Sequence, residues 1–440
     1  MTKIQMNSNL HSDFIVVGTG PTAAISVDIL VNRGFFVTVI DRGETRHSSV
    51  DDSKFKSAGL LKSHLGSYYP YNISDDFFLR DKSVPTWFSS KSQGGFTKVW
   101  GATLSADTRI PNFLDDYHTN GDSLLSRAAH SSIFKFANPQ HLAVSLSKCI
   151  GCGKCLVGCP HGAIWDSSIL MASLLHSKKI EVLKDSVQSI NFQSGFIEVE
   201  CRERVISTKN IILCGGPLGN LEILARSGLI ENSVTFSETR MFFGLLLHRK
   251  KVAPTEKEFS LSTSTVDLPI RKEKLSLQFY EDLRGLRFRY FPERIANQSI
   301  VKSCFALLNR FITPFVGYMP TSISPNIHVD LNKRGGILRS SNIHLMVKIE
   351  LFRNLFQYFL KSRIFLLGIS VSQAGAGYHV GAIKKDSEFD IARKALSTSG
   401  ILVLDSGILE SLETGPMTHK IMALAEKELN NFLSIRKIEL

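Results

Sequence analysis

The chain has 440 residues, of which 43% are hydrophobic and 21% are charged. This composition argues against disorder, and the length predicts more than one domain. Lysine and arginine exceed aspartate and glutamate by a net charge of +12. Because the excess is spread along the chain without a zinc finger or an RNA-binding signature, no nucleic acid partner is expected. An anionic substrate, an acidic redox protein or an anionic membrane surface fits the charge better, and scattered solvated lysines explain it equally well.

The start of the chain contains no apolar signal-peptide core, and no run of about 18 uncharged apolar residues occurs. A cytoplasmic location is therefore expected, with a peripheral contact at the inner face of the membrane as a further option. In that compartment thiols stay reduced.

The first motif in chain order is "DFIVVGTGPTAAISVDILVNRGFFVTVIDRGE". Its pattern predicts a strand, a glycine turn, a helix and a second strand, at 14–17, 18–23, 23–32 and 35–40. In such a unit Gly18 permits the turn, Gly20 lets the backbone approach a pyrophosphate, and Ala23 keeps the helix close to the strand. Asp41 follows the second strand, where an acid binds ribose hydroxyls. The motif indicates dinucleotide binding, with an ordinary βα turn as the alternative.

Two later segments also contain glycines at places that indicate contact with a cofactor. "GGFTKVWGA" places paired glycines around Trp100, which predicts backbone passing close to a flat ligand, or a glycine-rich loop packed on a core tryptophan. "IILCGGPLGNLEILARSG" predicts a second buried strand, a turn at Gly215 and a helix. The nucleotide domain is thus expected to combine distant pieces of the chain.

The region 235–340 alternates polar and apolar residues and predicts a mostly antiparallel sheet. Behind it, 347–360 has the spacing of an amphipathic helix. Its apolar face either packs on the protein's own core or binds a membrane surface.

Four cysteines, Cys149, Cys152, Cys155 and Cys159, follow the ferredoxin spacing C-x2-C-x2-C-x3-C-P and predict an iron–sulfur cluster. In two-cluster ferredoxins the fourth cysteine serves the other cluster. Here it must close the same [4Fe-4S] cluster, or another cysteine must replace it, or three cysteines hold a [3Fe-4S] cluster. The other candidate ligands are Cys201, Cys214 and Cys304. Zinc and a purely structural loop remain alternatives, although structural zinc sites usually separate two C-x2-C knuckles by about a dozen or more residues.

Together these segments, with "GYHVGA" and "ILVLDSGILESLETGPMTHKIMALAE", resemble the glucose–methanol–choline (GMC) flavoprotein oxidoreductases, in particular the dehydrogenase branch with a cysteine-rich insert. The resemblance implies an α/β, Rossmann-like FAD-binding domain assembled from discontinuous segments, 13–60, 90–105, 180–232 and 370–440. It also implies a cluster insert with a helix at 106–179. An α+β substrate domain with an antiparallel sheet would take up 233–369 together with 61–89.

By position, the resemblance implies FAD contacts along several segments. Gly18, Gly20 and Ala23 would hold the pyrophosphate, Asp41 the ribose and Val187 the adenine, with Gly215 close behind. The residues expected along the flavin are Gly94, Gly95, Thr97, Trp100 and Gly101. Asp405 would lie near the flavin end, or else cap a helix.

For catalysis, the resemblance makes His379 in "YHVG" the base that takes a hydroxyl proton while hydride passes to the flavin. The second catalytic position falls on Pro416 or Met417, and His419 lies a few residues late. The expected function is an FAD-dependent dehydrogenase that oxidises a CH–OH group of an alcohol or sugar. Its electrons would leave through the cluster to a ferredoxin, a cytochrome or a quinone. A carbonyl or alkene reductase fed through the cluster, and a non-catalytic electron-carrying subunit, are the alternatives.

Overall fold

The computed structural model describes residues 12–43, 77–80, 90, 92–98, 100–119, 137–157, 159–248, 257–332, 335–340, 343–372, 380–383, 387–409 and 412–438. The helices within these residues are α1 (Pro21–Asn32), α2 (Ser167–His176), α3 (Gly216–Arg226), α4 (Arg287–Tyr290), α5 (Glu293–Ala296), α6 (Ser299–Asn309), α7 (Leu345–Lys361), α8 (Glu388–Thr398) and α9 (Thr418–Ile435).

The strands up to residue 213 are β1 (Phe14–Val17), β2 (Val37–Asp41), β3 (Phe78–Arg80), β4 (Thr103–Leu104), β5 (His118–Thr119), β6 (Asn138–Pro139), β7 (His141–Ala143), β8 (Ile180–Lys184), β9 (Val187–Gln193), β10 (Phe196–Cys201), β11 (Val205–Thr208) and β12 (Ile211–Leu213). The later strands are β13 (Val234–Glu238), β14 (Met241–His248), β15 (Ser264–Ile270), β16 (Glu273–Phe279), β17 (Ile312–Tyr318), β18 (Ile327–Asn332), β19 (Gly335–Ser340), β20 (Ile364–Val371), β21 (Val380–Ile383) and β22 (Ile401–Val403).

A parallel sheet in the order β22-β12-β1-β2-β8 joins the two ends of the described chain. Its central strands are short apolar runs buried on both faces, as parallel sheets between helices require. Because all five strands run the same way, their carboxyl ends meet at one edge. That edge gathers Gly18, Asp41 and Gly215.

The first βαβ unit follows the predicted order with small shifts at its boundaries. The helix begins at Pro21 rather than Ala23, because proline suits the first helical position, where no N–H partner is needed. The second strand begins at Val37, since the Phe35 N–H closes the helix end on the Leu30 carbonyl. Ala23 is fully buried, so α1 lies directly on the sheet.

Five strands from residues 241–371 and the short strand β6 (Asn138–Pro139) form a six-stranded sheet in the order β20-β14-β17-β16-β15-β6. Every neighbouring pair in it is antiparallel. The amphipathic segment forms α7, whose inner side chains Leu351, Leu355 and Phe359 are buried against this sheet. A mixed sheet, β21-β13-β18-β19-β3, and two three-stranded sheets complete the described fold. None of the described helices is long and apolar enough to span a bilayer.

Candidate functional site

A cavity of about 100 Å³ lies at the carboxyl edge of the parallel sheet. Its lining includes Gly18, Asp41, Val187 and Gly215, which come from four separate stretches of the chain. Ligands of open α/β sheets bind at this edge, outside the carboxyl ends of the strands. The structure therefore brings together, in one concave site, four of the residues that the sequence assigns to the adenosine half of a dinucleotide.

Gly18 is the one position in this turn where a side chain cannot fit. Its φ is +97°, and a Cβ would stand 2.7 Å from the carbonyl oxygen of Cys214. Gly20 differs, because a Cβ there would meet nothing within 4 Å. The turn thus packs tightly on its sheet side at Gly18 and leaves space at Gly20, beside the start of α1.

The helices α1 and α3 both begin at this edge without a side-chain cap. Their first N–H groups and positive dipole ends are arranged as in sites that bind phosphate. Together with the open space at Gly20, this arrangement fits a pyrophosphate.

Asp41 is half-buried at the end of β2, and both of its carboxylate oxygens accept hydrogen bonds from the protein. Its Oδ2 accepts a hydrogen bond from Thr19 Oγ1 at 2.7 Å, and its Oδ1 accepts one from the Gly43 N–H at 2.7 Å. Burial raises the pKa of Asp41, while these bonds oppose the rise. A carboxylate has about four acceptor positions, so Asp41 can still accept from a ribose hydroxyl.

Asp405 lies just after β22, where it is buried and both of its oxygens accept hydrogen bonds within the fold. It caps a short 3-10 turn by accepting from the Gly407 N–H at 2.6 Å, and its other oxygen accepts from Asn220 Nδ2. Asn220 in turn accepts the Gly215 N–H at 2.8 Å. Burial raises the pKa of Asp405. The capping role is therefore present, and a direct cofactor contact of Asp405 stays a prediction.

The glycine-rich loop 94–101 packs on the turn between β1 and α1. The Gly94 N–H donates to Thr19 Oγ1 at 2.8 Å, and a Cβ on Gly95 would stand 3.2 Å from the Cα of Gly20. Gly94 and Gly95 have φ of +90° and +57°, and Gly101 leads into β4. The loop is thus held against the turn at residues 18–20 by the Thr19 hydroxyl and by the close approach of Gly95 to Gly20.

The far side of the same loop reaches the segment that follows the cysteines. Thr97 Oγ1 accepts the Ser167 N–H at 2.9 Å, at the start of α2. Trp100 Nε1 donates to the Trp165 carbonyl at 2.9 Å, and the two indole rings meet edge to face at 5.9 Å. One loop therefore contacts both candidate cofactor regions.

The four cysteines of the ferredoxin-like run converge. The Cys155 thiol lies within electrostatic reach of the sulfurs of Cys149, Cys152 and Cys159, and burial raises its pKa to about 12. Gly151 and Gly153, with φ of +71° and +73°, allow the backbone to curl between the first three cysteines.

Backbone N–H groups point at the sulfurs. The Ala163 N–H donates to Cys159 Sγ at 3.3 Å, and the backbone of Ser260 bonds to Cys155. N–H···S bonds tune iron–sulfur clusters and stabilise their thiolates. These donors, with four convergent thiols, fit a cluster.

A neighbouring segment clamps the cysteine loop. The Glu258 N–H donates to the Gly151 carbonyl at 2.9 Å, and Arg287 Nη1 pairs with Glu258 Oε2 at 2.6 Å. A Cβ on Gly153 would stand 2.5 Å from Glu258, so the contact is close. Residues from the region of the antiparallel sheet thus fix the loop's shape.

The remaining cysteines do not join this group. Cys201 is buried at the end of β10, Cys214 is buried just after β12, and Cys304 is exposed on α6. Cys214 is instead a small core residue, close to Thr22 and Ser26. In the described part of the chain no three His, Cys, Asp or Glu side chains are placed to hold a single metal ion. A single zinc needs sulfurs about 4 Å apart, whereas a cubane gives each cysteine its own iron and holds them farther apart.

The histidines predicted for catalysis have separate outcomes. His419 is fully buried, its Nδ1 accepts from the Ser105 N–H at 3.1 Å, and its Nε2–H donates to the Arg109 carbonyl at 3.0 Å. Burial lowers its pKa. Both ring nitrogens are used within the fold, which gives His419 a structural role in tying α9 to the loop after β4. His379 lies outside the described residues.

Sequence reasoning missed two residues that organise the cavity, Thr19 and Asn220. Thr19 joins Asp41 to Gly94, and Asn220 joins Gly215 to Asp405. Thr19 lies between Gly18 and Gly20, at a position for which the glycine motif specifies no residue type. For Asn220, the available signal in the sequence was a single amide among the apolar residues of the predicted helix.

Comparison with known protein families matches residues 141–164 to a 4Fe-4S binding domain. The match covers all four cysteines and indicates electron transfer through an iron–sulfur cluster. No curated protein gives a significant match to the chain. Cys149 and Cys155 pack against the same hydrophobic core as Trp100, Ala102 and Trp165. The 4Fe-4S binding segment and the glycine-rich loop are therefore parts of one packed unit.

Proposed function

We propose that the protein is an FAD-dependent oxidoreductase of the GMC type, a dehydrogenase acting on a CH–OH group. The observation that carries the proposal is the joining of the two candidate sites. The cavity is lined by Gly18, and the next residue, Thr19, accepts a hydrogen bond from Gly94 of the 94–101 loop. Trp100 of the same loop donates to the carbonyl of Trp165, the residue that follows the 4Fe-4S binding segment. A two-electron site beside a one-electron site is the arrangement that a dehydrogenase with an external acceptor needs.

When bound, FAD would take up a hydride and the cluster would pass the electrons on singly. The chain's own groups would do the rest. The uncapped start of α1 would hold the pyrophosphate, and Asp41 would accept a hydrogen bond from the ribose. The thiolates of the four cysteines would bind the irons, while the N–H groups of Ala163 and Ser260 stabilise charge on sulfur. His379 would accept the proton of the substrate hydroxyl.

Electrons would leave at the exposed side of the cysteine loop. Ile150, next to Cys149, is 58% exposed, and Lys148 beside it is exposed as well. An apolar residue flanked by a lysine suits a transient contact with an acidic protein. A ferredoxin or cytochrome of negative surface charge is the acceptor favoured here, with a quinone as the non-protein alternative.

The second candidate is an electron-carrying flavoprotein subunit without chemistry of its own. It is favoured by His419, whose ring nitrogens are both used in the fold, so that no second catalytic histidine is available there. A carbonyl or alkene reductase supplied through the cluster uses the same residues in the opposite direction.

One preparation tests these functions. Protein purified without oxygen should contain about one FAD and about four iron atoms per chain, with an EPR signal on reduction. Alcohols and sugars should bleach the flavin in the native chain and not in His379→Ala, while dithionite bleaches both. Flavin-free protein with iron would refute the proposal. Protein that contains flavin and iron but is not bleached by any CH–OH donor would support the electron-carrying subunit. Reoxidation of the reduced protein by carbonyl or alkene substrates would support the reductase.

A further inference from the structure

The helix α7 has two apolar faces, and the described residues cover only one of them. Its inner face, Leu351, Leu355 and Phe359, is at most 1% exposed against the antiparallel sheet. On the outer face Leu345 is 66% exposed and Ile349 is 51% exposed. The other exposed apolar side chains on this helix are Met346, Phe352, Phe356 and Leu360.

These outer side chains form one continuous stripe. Residues 345, 349, 352, 356 and 360 recur every three or four positions and therefore lie along one line of the helix. The rings of Phe352 and Phe356 stack with centroids 6.0 Å apart and planes 19° from parallel. At 1.5 Å per residue the stripe is about 22 Å long. The outer face of a surface helix is ordinarily polar, so a stripe of this length marks an interaction site.

The charges beside the stripe are basic. Lys348 borders it on one side and Arg353 on the other, and both are exposed. The single acid of the helix, Glu350, is engaged by Arg271, whose Nη2 lies 2.7 Å from Glu350 Oε2. Lys361 adds a further positive charge at the end of the helix. The surface around the apolar stripe therefore complements an anionic partner.

We propose that α7 is a peripheral membrane anchor, which lies flat on an anionic bilayer with its outer stripe among the acyl chains. Helices of this kind bury an apolar face at the headgroup boundary while lysine and arginine contact anionic lipid heads. A straight, rigidly supported stripe fits a planar surface. In a symmetric pairing of two copies, the basic borders of the two helices would face each other with no free acid between them. The charge pattern therefore favours lipid over a second copy.

The test uses the full chain and sedimentation with lipid vesicles. Binding is expected to phosphatidylcholine vesicles that contain about one third phosphatidylserine, and only weakly to pure phosphatidylcholine. The double variant Phe352→Ser/Phe356→Ser should bind at least about tenfold more weakly, because it removes the two central apolar contacts. Lys348→Gln/Arg353→Gln should lose about tenfold of the preference for the anionic vesicles.

The matched control is Ile300→Gln on α6, where the native side chain is 77% exposed. This variant should bind as the native chain does. A Phe356→Trp variant should show a blue-shifted emission with anionic vesicles, and unchanged circular dichroism should verify the fold of each variant.

Three results would overturn the proposal. Native protein that leaves anionic vesicles unbound would do so, and so would equal losses in Ile300→Gln and in the double phenylalanine variant. An oligomer that dissociates in the double variant, without vesicle binding by the native chain, would show that the stripe joins two copies instead.

Discussion

Replacing Gly18 by alanine tests the central glycine turn with a measurable magnitude. A side chain at φ +97° costs about 1–2 kcal/mol in any surroundings. In addition, the new Cβ would stand 2.7 Å from the Cys214 carbonyl oxygen, an overlap that costs about 1–3 kcal/mol to relieve. The expected total is about 2–5 kcal/mol. For a cooperative unit of about 200 residues, this lowers the melting temperature by about 5–12 °C.

The matched control is Gly195→Ala, at a hairpin turn with φ of +89° and no atom within 4 Å of the new Cβ. It carries the conformational cost alone and should lower the melting temperature by about 2–5 °C. Thermal unfolding followed by circular dichroism measures both. Equal decreases in melting temperature for the two variants would refute the collision with Cys214. They would also refute the close packing of the turn on the sheet.

Three further predictions follow from other contacts. Cys155→Ser should remove at least one iron per chain, measured by iron analysis, whereas Cys304→Ser on the exposed face of α6 should keep the full content. Burial lowers the pKa of His248 from 6.5 to about 4. The native state then binds fewer protons than the unfolded chain, so stability is full above pH 6.5 and falls by about 3 kcal/mol as the pH drops towards 4. His248→Gln should flatten this decline in melts at several pH values. Asn220→Leu leaves the buried Asp405 without its amide donor and should cost about 2–4 kcal/mol, visible as a lower melting temperature at pH 7. An unchanged melting temperature there would show that Asp405 is satisfied by other donors.

The sequence predicted local units well because their signals are local. The run Phe14–Val17, the following glycines and Asp41 specify a βαβ unit within some thirty residues, and the structure has it with shifts of two residues. The cysteine spacing is equally local, and residues 141–164 match a 4Fe-4S binding domain. Such motifs carry their own geometry, because neighbouring residues dictate it.

Contacts between distant residues were harder to foresee. Asn220 and Asp405 are far apart in the chain, and neither side chain signals its partner. The same holds for His419, which forms hydrogen bonds with the backbone of Ser105 and Arg109. In the sequence it lies near an expected catalytic position, and nothing there indicated its structural role. For α7, periodicity predicted the helix but offered either the core or a membrane as its contact. The structure shows an inner stripe on the core and an outer stripe left exposed.

The strand order of the parallel sheet affects how the protein folds during its synthesis on the ribosome. β1 lies between β2 and β12, and β22 closes the sheet from residues 401–403. At about 5–20 residues per second, β12 must wait roughly 10–40 seconds for this last partner. During that time the edge of β12 is open to aggregation, and a chain with so many non-local pairings folds slowly. Co-expressed chaperones should therefore raise the soluble yield more than an added supply of iron does.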